Sequence, residues 1–362
     1  MSTREQIYER LSKVLDPEIG QPITDLGMVA DYRVVGDRVK VRVKLTVRGC
    51  PLQARIQEEV TQAMSGLEGI RGVDVELDVM TDQEREALAQ RLRPELKQRY
   101  SSVTEPNSSV RVVIVGSGKG GVGKSTVTVN LAAALHGLGK KVGVLDADVY
   151  GFSVPRMIGA KQQPVVLGDG LIMPVDVRGL KVISMGMLVG EDTPVIWRGP
   201  MLTKLLDQFL GDVVWGDLDY LVIDAPPGTG DIAITLVQKL PAAKVVLVTT
   251  PQVAATRVAG RVAQMAKRVG QDVLGVVENM SYFRCSHGEV SEIFGSGGGE
   301  ALGIETGSPL LGQLPLERQL IDQGDEGVPI VWASPEDEAS LVFRRIAQQV
   351  DESALWRKLA HA

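Results

Sequence analysis

From Arg38 to Val47 apolar and charged positions alternate: Val39, Val41, Val43, Leu45 and Val47 fall on one side, Lys40, Arg42 and Lys44 on the other. Successive side chains of a strand point to opposite faces, so this period of two predicts a half-buried β-strand. Gly36-Asp37 ahead of it suits a hairpin turn from a strand over 29–35. Upstream, Ile7, Leu11 and Val14 share one helical face. Downstream, Leu52, Ile56, Val60 and Met64 form the stripe of a helix that starts after Pro51, and VDVELDV reads as a third strand. Residues 1–80 are therefore expected to form a small α+β domain. Residues 81–109 are polar and helix-prone, then rich in Ser, Pro and Asn, which predicts a helical and flexible linker.

From Val110 the pattern changes. Short apolar runs recur at RVVIVGS, KVGVLDAD, YLVIDAP, KVVLVTTP, VLGVVENM and LLGQLP, with helical stretches between most of them. Buried strands joined by helical crossovers imply an α/β, doubly wound, mostly parallel sheet over 110–362. At the end, ASLVFRRIAQQVDESALWRKLAHA carries apolar residues at Leu341, Ile346 and Val350 and mixed charges, the pattern of a docking helix.

Composition narrows the function classes. The net charge of −6 argues against nucleic acid as the principal partner. Two cysteines cannot build a disulfide framework, which suits a reducing compartment. MSTREQIYERLSKVLD lacks the apolar segment of a signal peptide, and no run is long enough to span a bilayer. The expectation is a cytoplasmic protein with neither nucleic acid nor membrane as partner.

The strongest chemical signal is VVIVGSGKGGVGKSTVTVNLAAAL. A β-branched strand is followed by Gly118, four residues, then Gly123-Lys124-Ser125, and an apolar helix: the P-loop spacing in its required context. Glycines let the backbone wrap phosphate and present its N–H groups, and the helix N-terminus adds a favourable dipole. Gly118, Lys119, Gly120, Gly121, Val122, Gly123, Lys124, Ser125 and Thr126 are thus expected to bind nucleotide. Lys124 would meet the β- and γ-phosphates and Ser125 would bind Mg²⁺. Asp224, at the end of YLVID, is the expected second Mg²⁺ ligand. Asp146 and Asp148 follow another strand, and Asp148 is the candidate for positioning the attacking water. Each of these acids could instead cap the next helix, the preferred reading for Asp231. Gly228 and Gly230 would let the PPGTG loop rearrange. Lys119 exceeds what a P-loop requires. It is either a solvated charge or a second cation aimed at phosphate.

GKGGVGKST resembles the deviant Walker A motif of the MinD, ParA and nitrogenase iron-protein class. That resemblance implies ATP hydrolysis by a homodimer in which Lys119 reaches the partner's nucleotide. DADVYG, WRGPM, DAPPGTGD, ENMSYF and IFGSGGG together resemble the Mrp group of iron–sulfur carrier ATPases, over essentially all of 110–350. LDPEIGQPITDLGMV and TVRGCP resemble the PaaD/SufT-like domain of iron–sulfur assembly proteins. The resemblance implies an iron–sulfur cluster as cargo, apo iron–sulfur proteins and assembly factors as partners, and Asn279 against adenine, where the residue could otherwise simply end its strand. The alternative is a metal-free regulatory or positioning ATPase like MinD or ParA.

The two cysteines stand apart from these motifs. Cys50 precedes Pro51, so it either caps a helix or carries a thiol activated by the helix N-terminus. Cys285 and His287 lie in FRCSHGEVSEIFG, where the resembled family keeps Cys-x-x-Cys for a cluster bridging two chains. Here a dimer would offer two thiolates and two imidazoles, a set suited to a mixed-ligand cluster or a zinc site. The other reading is a solvent-facing Cys and His in a loop.

Overall fold

The computed structural model describes residues 3–17, 19–46, 53–67, 69–99, 103–105, 108–149, 151–168, 170–189 and 199–356. Cys50, with Val47, Pro51 and Leu52, lies outside them, as does Trp197. The chain divides into two compact units, Met1–Leu96 with Val165–Met173, and Lys97–Pro164 with Pro174–Ala362.

The first unit opens with α1 (Thr3–Leu11), which buries Ile7 and Leu11, with Val14 buried just beyond. β1 (Val29–Val35) and β2 (Arg38–Leu45) pair antiparallel across a turn in which Gly36 takes φ 65°. α2 (Gln53–Met64) buries Ile56, Val60 and Met64 and crosses to β3 (Gly72–Val79), parallel to β2. The alternation of β2 is realised: Val39, Val41, Val43 and Leu45 are buried. On its outer face Arg38 pairs with Asp74 and Arg42 with Glu76 across the ladder. These exposed pairs fix register more than they add stability. α3 (Asp82–Arg99) follows.

The second unit then builds β4 (Arg111–Ser117), α4 (Lys124–Gly137), β5 (Val142–Asp146) and α5 (Val154–Ile158). A short antiparallel hairpin, β6 (Val165–Leu167) and β7 (Leu171–Met173), belongs to the first unit. There Gly168 takes φ 50°, and a Cβ on it would lie 2.7 Å from the Ala89 Cβ of α3. The chain continues through β8 (Val175–Val177), β9 (Leu180–Ser184), α6 (Met185–Val189), α7 (Gly199–Gly211), β10 (Tyr220–Asp224), α8 (Asp231–Lys239), β11 (Lys244–Thr249) and α9 (Val253–Arg268). It ends with β12 (Val273–Arg284), β13 (Val290–Ser291), α10 (Gly298–Thr306), β14 (Leu310–Pro315), α11 (Arg318–Glu326), α12 (Ile330–Ala333) and α13 (Glu338–Glu352).

The strands of the second unit form one sheet in the order β13-β12-β11-β4-β10-β5-β9-β8, with β14 also on β12. Every pairing is parallel except β8 on β9 and β13 on β12. Because β4, β10 and β5 run in register, Val115, Asp224 and Asp146 stand level at one edge. That carboxyl edge is where doubly wound sheets bind ligands. β12 is irregular: Met280 takes φ 54°, and pairing with β14 skips from Glu278 to Tyr282. A left-handed backbone costs a residue with a Cβ about 1–2 kcal/mol.

α13 docks on the core, but not by the stripe expected. Leu341 is 43% exposed, whereas Val342, Phe343, Ile346, Ala347 and Val350 are buried. The spacing from Leu341 to Ile346 is not a helical repeat, so the two cannot share a face. Phe343→Ala should destabilise this unit by about 3–5 kcal/mol, the cost of emptying a fully buried aromatic site. Urea denaturation checks it. An unchanged midpoint would show that α13 is not part of the core.

Candidate nucleotide-binding site

The loop between β4 and α4 is gripped from two sides. A Cβ on Gly118 would lie 2.3 Å from the backbone nitrogen of Ala259, so the loop's start packs directly on α9. Gly123 takes φ 82°, and a Cβ there would sit 2.0 Å from Asn279 Nδ2. Asn279 Nδ2 also donates to the Val122 carbonyl (2.9 Å). Only glycine satisfies both the left-handed backbone and the close approach at 123. The loop is thus shaped by its neighbours as well as by its composition.

Lys124 begins α4 and is 6% exposed. Its Nζ lies 2.8 Å from Asp224 Oδ1 and 3.7 Å from Asp148 Oδ2. No partner meets hydrogen-bond alignment with Nζ, so charge holds the cation more than direction does. Asp224 is fully buried and accepts from Ser125 Oγ (2.6 Å) and Thr128 Oγ1 (2.7 Å). Asp146, beside it on β5, accepts from the backbone N–H of Asp148 (3.1 Å), Ser153 (3.2 Å) and Val154 (3.2 Å) and from Ser184 Oγ (3.2 Å). Burial, and then the neighbouring Asp224 carboxylate, push Asp146 up to about 7 against the pull of these donors and of Lys124. Asp148 Oδ1 accepts from the Gly151 N–H (3.2 Å).

Lys124, Ser125, Asp148 and Asp224 therefore converge, while Lys119 stands elsewhere. Its Nζ donates to Gln252 Oε1 (3.2 Å), at the N-cap of α9. The Ser125 hydroxyl and Asp224 carboxylate are adjacent oxygen donors, the kind of set Mg²⁺ takes. Asp231 does not cap α8: the N-cap is Gly230, and Asp231 occupies the first turn. There its charge meets the helix dipole instead. Sequence reading passed over Thr128, Ser184 and Gln252. Thr128 was detectable, since three residues after Ser125 it shares that helix face. Ser184 and Gln252 carry no local signal.

Beside the loop is a cavity of about 270 Å³ lined by Thr126, Met157, Asn279, Met280, Leu316 and Glu317, among others. Asn279 Oδ1 and Glu317 Oε1 are buried without a hydrogen-bond partner. Burial and the nearby Asp337 push Glu317 up to about 7.

Cys285 and His287 occupy the turn of the hairpin between β12 and β13. Gly288, at φ 85°, donates its N–H to the Cys285 carbonyl (2.9 Å), and the Cys285 N–H donates to the Glu289 carbonyl (3.0 Å). This is a tight turn closed by a left-handed glycine. Cys285 is half-buried and His287 exposed. Among the described residues, no three His, Cys, Asp or Glu side chains gather as a metal-binding group within one chain. Phe283, Val290 and Ile293 around the turn are exposed. No helix among the described residues is long and apolar enough to cross a membrane.

Known proteins resemble this chain along nearly its whole length. A family model described as NUBPL iron-transfer P-loop NTPase matches residues 109–351. A second, described as iron-sulfur cluster assembly protein, matches residues 4–77. The chain is 46% identical over 357 residues to an iron-sulfur cluster carrier protein of Mycobacterium leprae, covering 97% of this chain and 92% of the relative. It is 38% identical over 354 residues to that of Bacillus subtilis, covering 97% and 98%. Among solved structures, a nucleotide-binding protein of Archaeoglobus fulgidus in complex with ADP, with cobalt, is similar at a TM-score of 0.55 and 38% identity, covering 62% of this chain and 90% of that one. MinD of Pyrococcus horikoshii complexed with Mg-ADP follows at a TM-score of 0.51 and 25% identity, covering 67% and 96%. With the P-loop constellation at the sheet's carboxyl edge and a matching family model over most of its length, the chain belongs to the NUBPL iron-transfer P-loop NTPase family.

Proposed function

We propose that this protein is an ATP-hydrolysing homodimer that carries an iron–sulfur cluster and hands it to apoproteins. The observation that carries the hydrolase half is the convergence of Lys124, Asp148 and Asp224 beneath the P-loop. The carrier half draws on relatives named iron-sulfur cluster carrier protein along almost their whole length. In hydrolysis a water oxygen attacks the γ-phosphorus, the bond to the β–γ bridging oxygen breaks, and ADP and phosphate leave. Lys124 binds the β- and γ-phosphates, exchanging its contact with Asp224 for phosphate oxygens. Asp148 orients the water. Lys119 leaves Gln252 to meet charge developing at the partner subunit's nucleotide. Mg²⁺, held by Ser125 and Asp224, would neutralise phosphate charge. Asn279 and the adjoining cavity receive the base.

Cys285 is the cluster ligand in this reading, with His287 beside it, and two chains together supply the site. The exposed Phe283, Val290 and Ile293 favour a covered, two-fold arrangement around the turn. One thiolate per chain is half the usual anionic set, so the cluster should be labile. That same scarcity favours the second reading, a metal-free regulatory ATPase. Iron and sulfide content after anaerobic purification separates the two.

Lys124→Ala should weaken nucleotide binding about 10- to 100-fold, the loss of a charge-assisted contact to phosphate, and remove hydrolysis. Calorimetric affinity equal to the parent's would sink the assignment. Lys119→Ala should bind nucleotide normally while hydrolysis falls about 10²- to 10³-fold. Mixing Lys119→Ala chains with Asp148→Ala chains should restore part of the activity, because one composite site keeps both residues. No recovery in demonstrated heterodimers would rule out the cross-subunit role. After anaerobic reconstitution, Cys285→Ser should lose iron and sulfide and keep ATP binding, with His287→Ala losing less. Full metal in Cys285→Ser, and loss only in Cys50→Ser, would move the metal to the first unit.

A further inference from the structure

The strand that reaches the P-loop is also the strand that ends in the Cys285 turn. β12 touches the loop at Asn279, through the bond to the Val122 carbonyl, and six residues later it enters the turn. Between the two stands Met280, in its left-handed conformation at φ 54°. Met280 and Asn279 line the same cavity. A molecule filling that cavity therefore bears on the left-handed point of the strand.

Beyond the kink the strand is clamped to α13. Tyr282 OH donates to Glu338 Oε1 (2.7 Å). Arg284 donates through Nε to Glu338 Oε2 and through Nη2 to Oε1, both at 3.2 Å. Both oxygens of Glu338 are thus committed to the base of the hairpin. The post is firm, because Glu338 lies in the first turn of α13, beside an N-cap in which Asp337 Oδ1 accepts from the Ala339 N–H (2.9 Å). The rest of that helix is buried through Val342, Phe343 and Ile346. A strained residue held between two fixed points is where the strand yields most readily, so what touches it can bias how the strand sits.

We propose that Tyr282 and Arg284 are positioning residues: clamped by Glu338 they set where the Cys285 thiol stands, and the Met280 kink passes occupancy of the base cavity to that turn. The functional consequence rests on Cys285 being the cluster ligand, since nucleotide would then govern how the ligand is presented. The placement of the thiol does not depend on it.

The test uses the full chain carrying Cys50→Ser, which leaves Cys285 as its single cysteine. The rate of Cys285 alkylation by iodoacetamide is measured with and without ADP. ADP should change that rate about fivefold or more, the low end of coupling between sites. Glu338→Gln should alter the rate without nucleotide and abolish the response to ADP, with ADP affinity changed by no more than the coupling itself, about fivefold. Tyr282→Phe combined with Arg284→Gln removes the hairpin's side of the clamp, leaves α13 intact, and should do the same. The proposal is overturned by a parent rate indifferent to ADP, or by either variant keeping the full response. Loss of ADP affinity in both variants also overturns it, because the clamp would then serve the cavity rather than the turn. Alkylation needs no cluster, so this result and the iron assay can fail independently.

Discussion

A buried carboxylate governs the arrangement of the second unit. Asp224 is fully buried, so its charge must be met by the protein. It is met by Lys124, Ser125 and Thr128, all from the first turns of α4. Those contacts fix the start of α4 over the end of β10, and with it the loop between β4 and α4. Removing one partner of a buried pair costs about 3–5 kcal/mol, because the other charge stays buried. Burial, and then the neighbouring Asp224 carboxylate, raise the pKa of Asp146.

The loop itself shows why glycine is needed at particular positions. Gly118 lies against α9, and Gly123 against Asn279. A side chain at either would displace backbone or an amide already bonded to the loop. The nucleotide site is therefore continuous with β12, and β12 is continuous with the Cys285 turn. In the proposed reading, the nucleotide site and the Cys285 turn are separated along one strand by the Met280 kink and the Glu338 clamp.

The local code was informative wherever periodicity and chemistry coincide. β2 announced itself by alternation, because one face is buried and the other wet. The central strands announced themselves by unbroken apolar runs, because both faces are covered. The P-loop needed only its spacing between a strand and a helix. α13 was read as a helix but turned by the wrong residue: the stripe took in Leu341, whereas Val342 and Phe343 belong to it. In a helix with apolar residues on several sides, the neighbour chooses the face.

What the sequence by itself determined is the strands of strong alternation or unbroken apolar character and the chemistry at their ends: a lysine and a serine opening α4, an aspartate closing β10, a cysteine and a histidine in one turn. Each depends on residues close along the chain, where spacing and geometry are the same thing. Only the tertiary structure decided that Ser184 joins Asp146, that Lys119 rests on Gln252, and that Glu338 holds Tyr282 and Arg284. These partners come from elements that meet through sheet order and helix packing. No periodicity records which side chain another strand or helix will bring within reach.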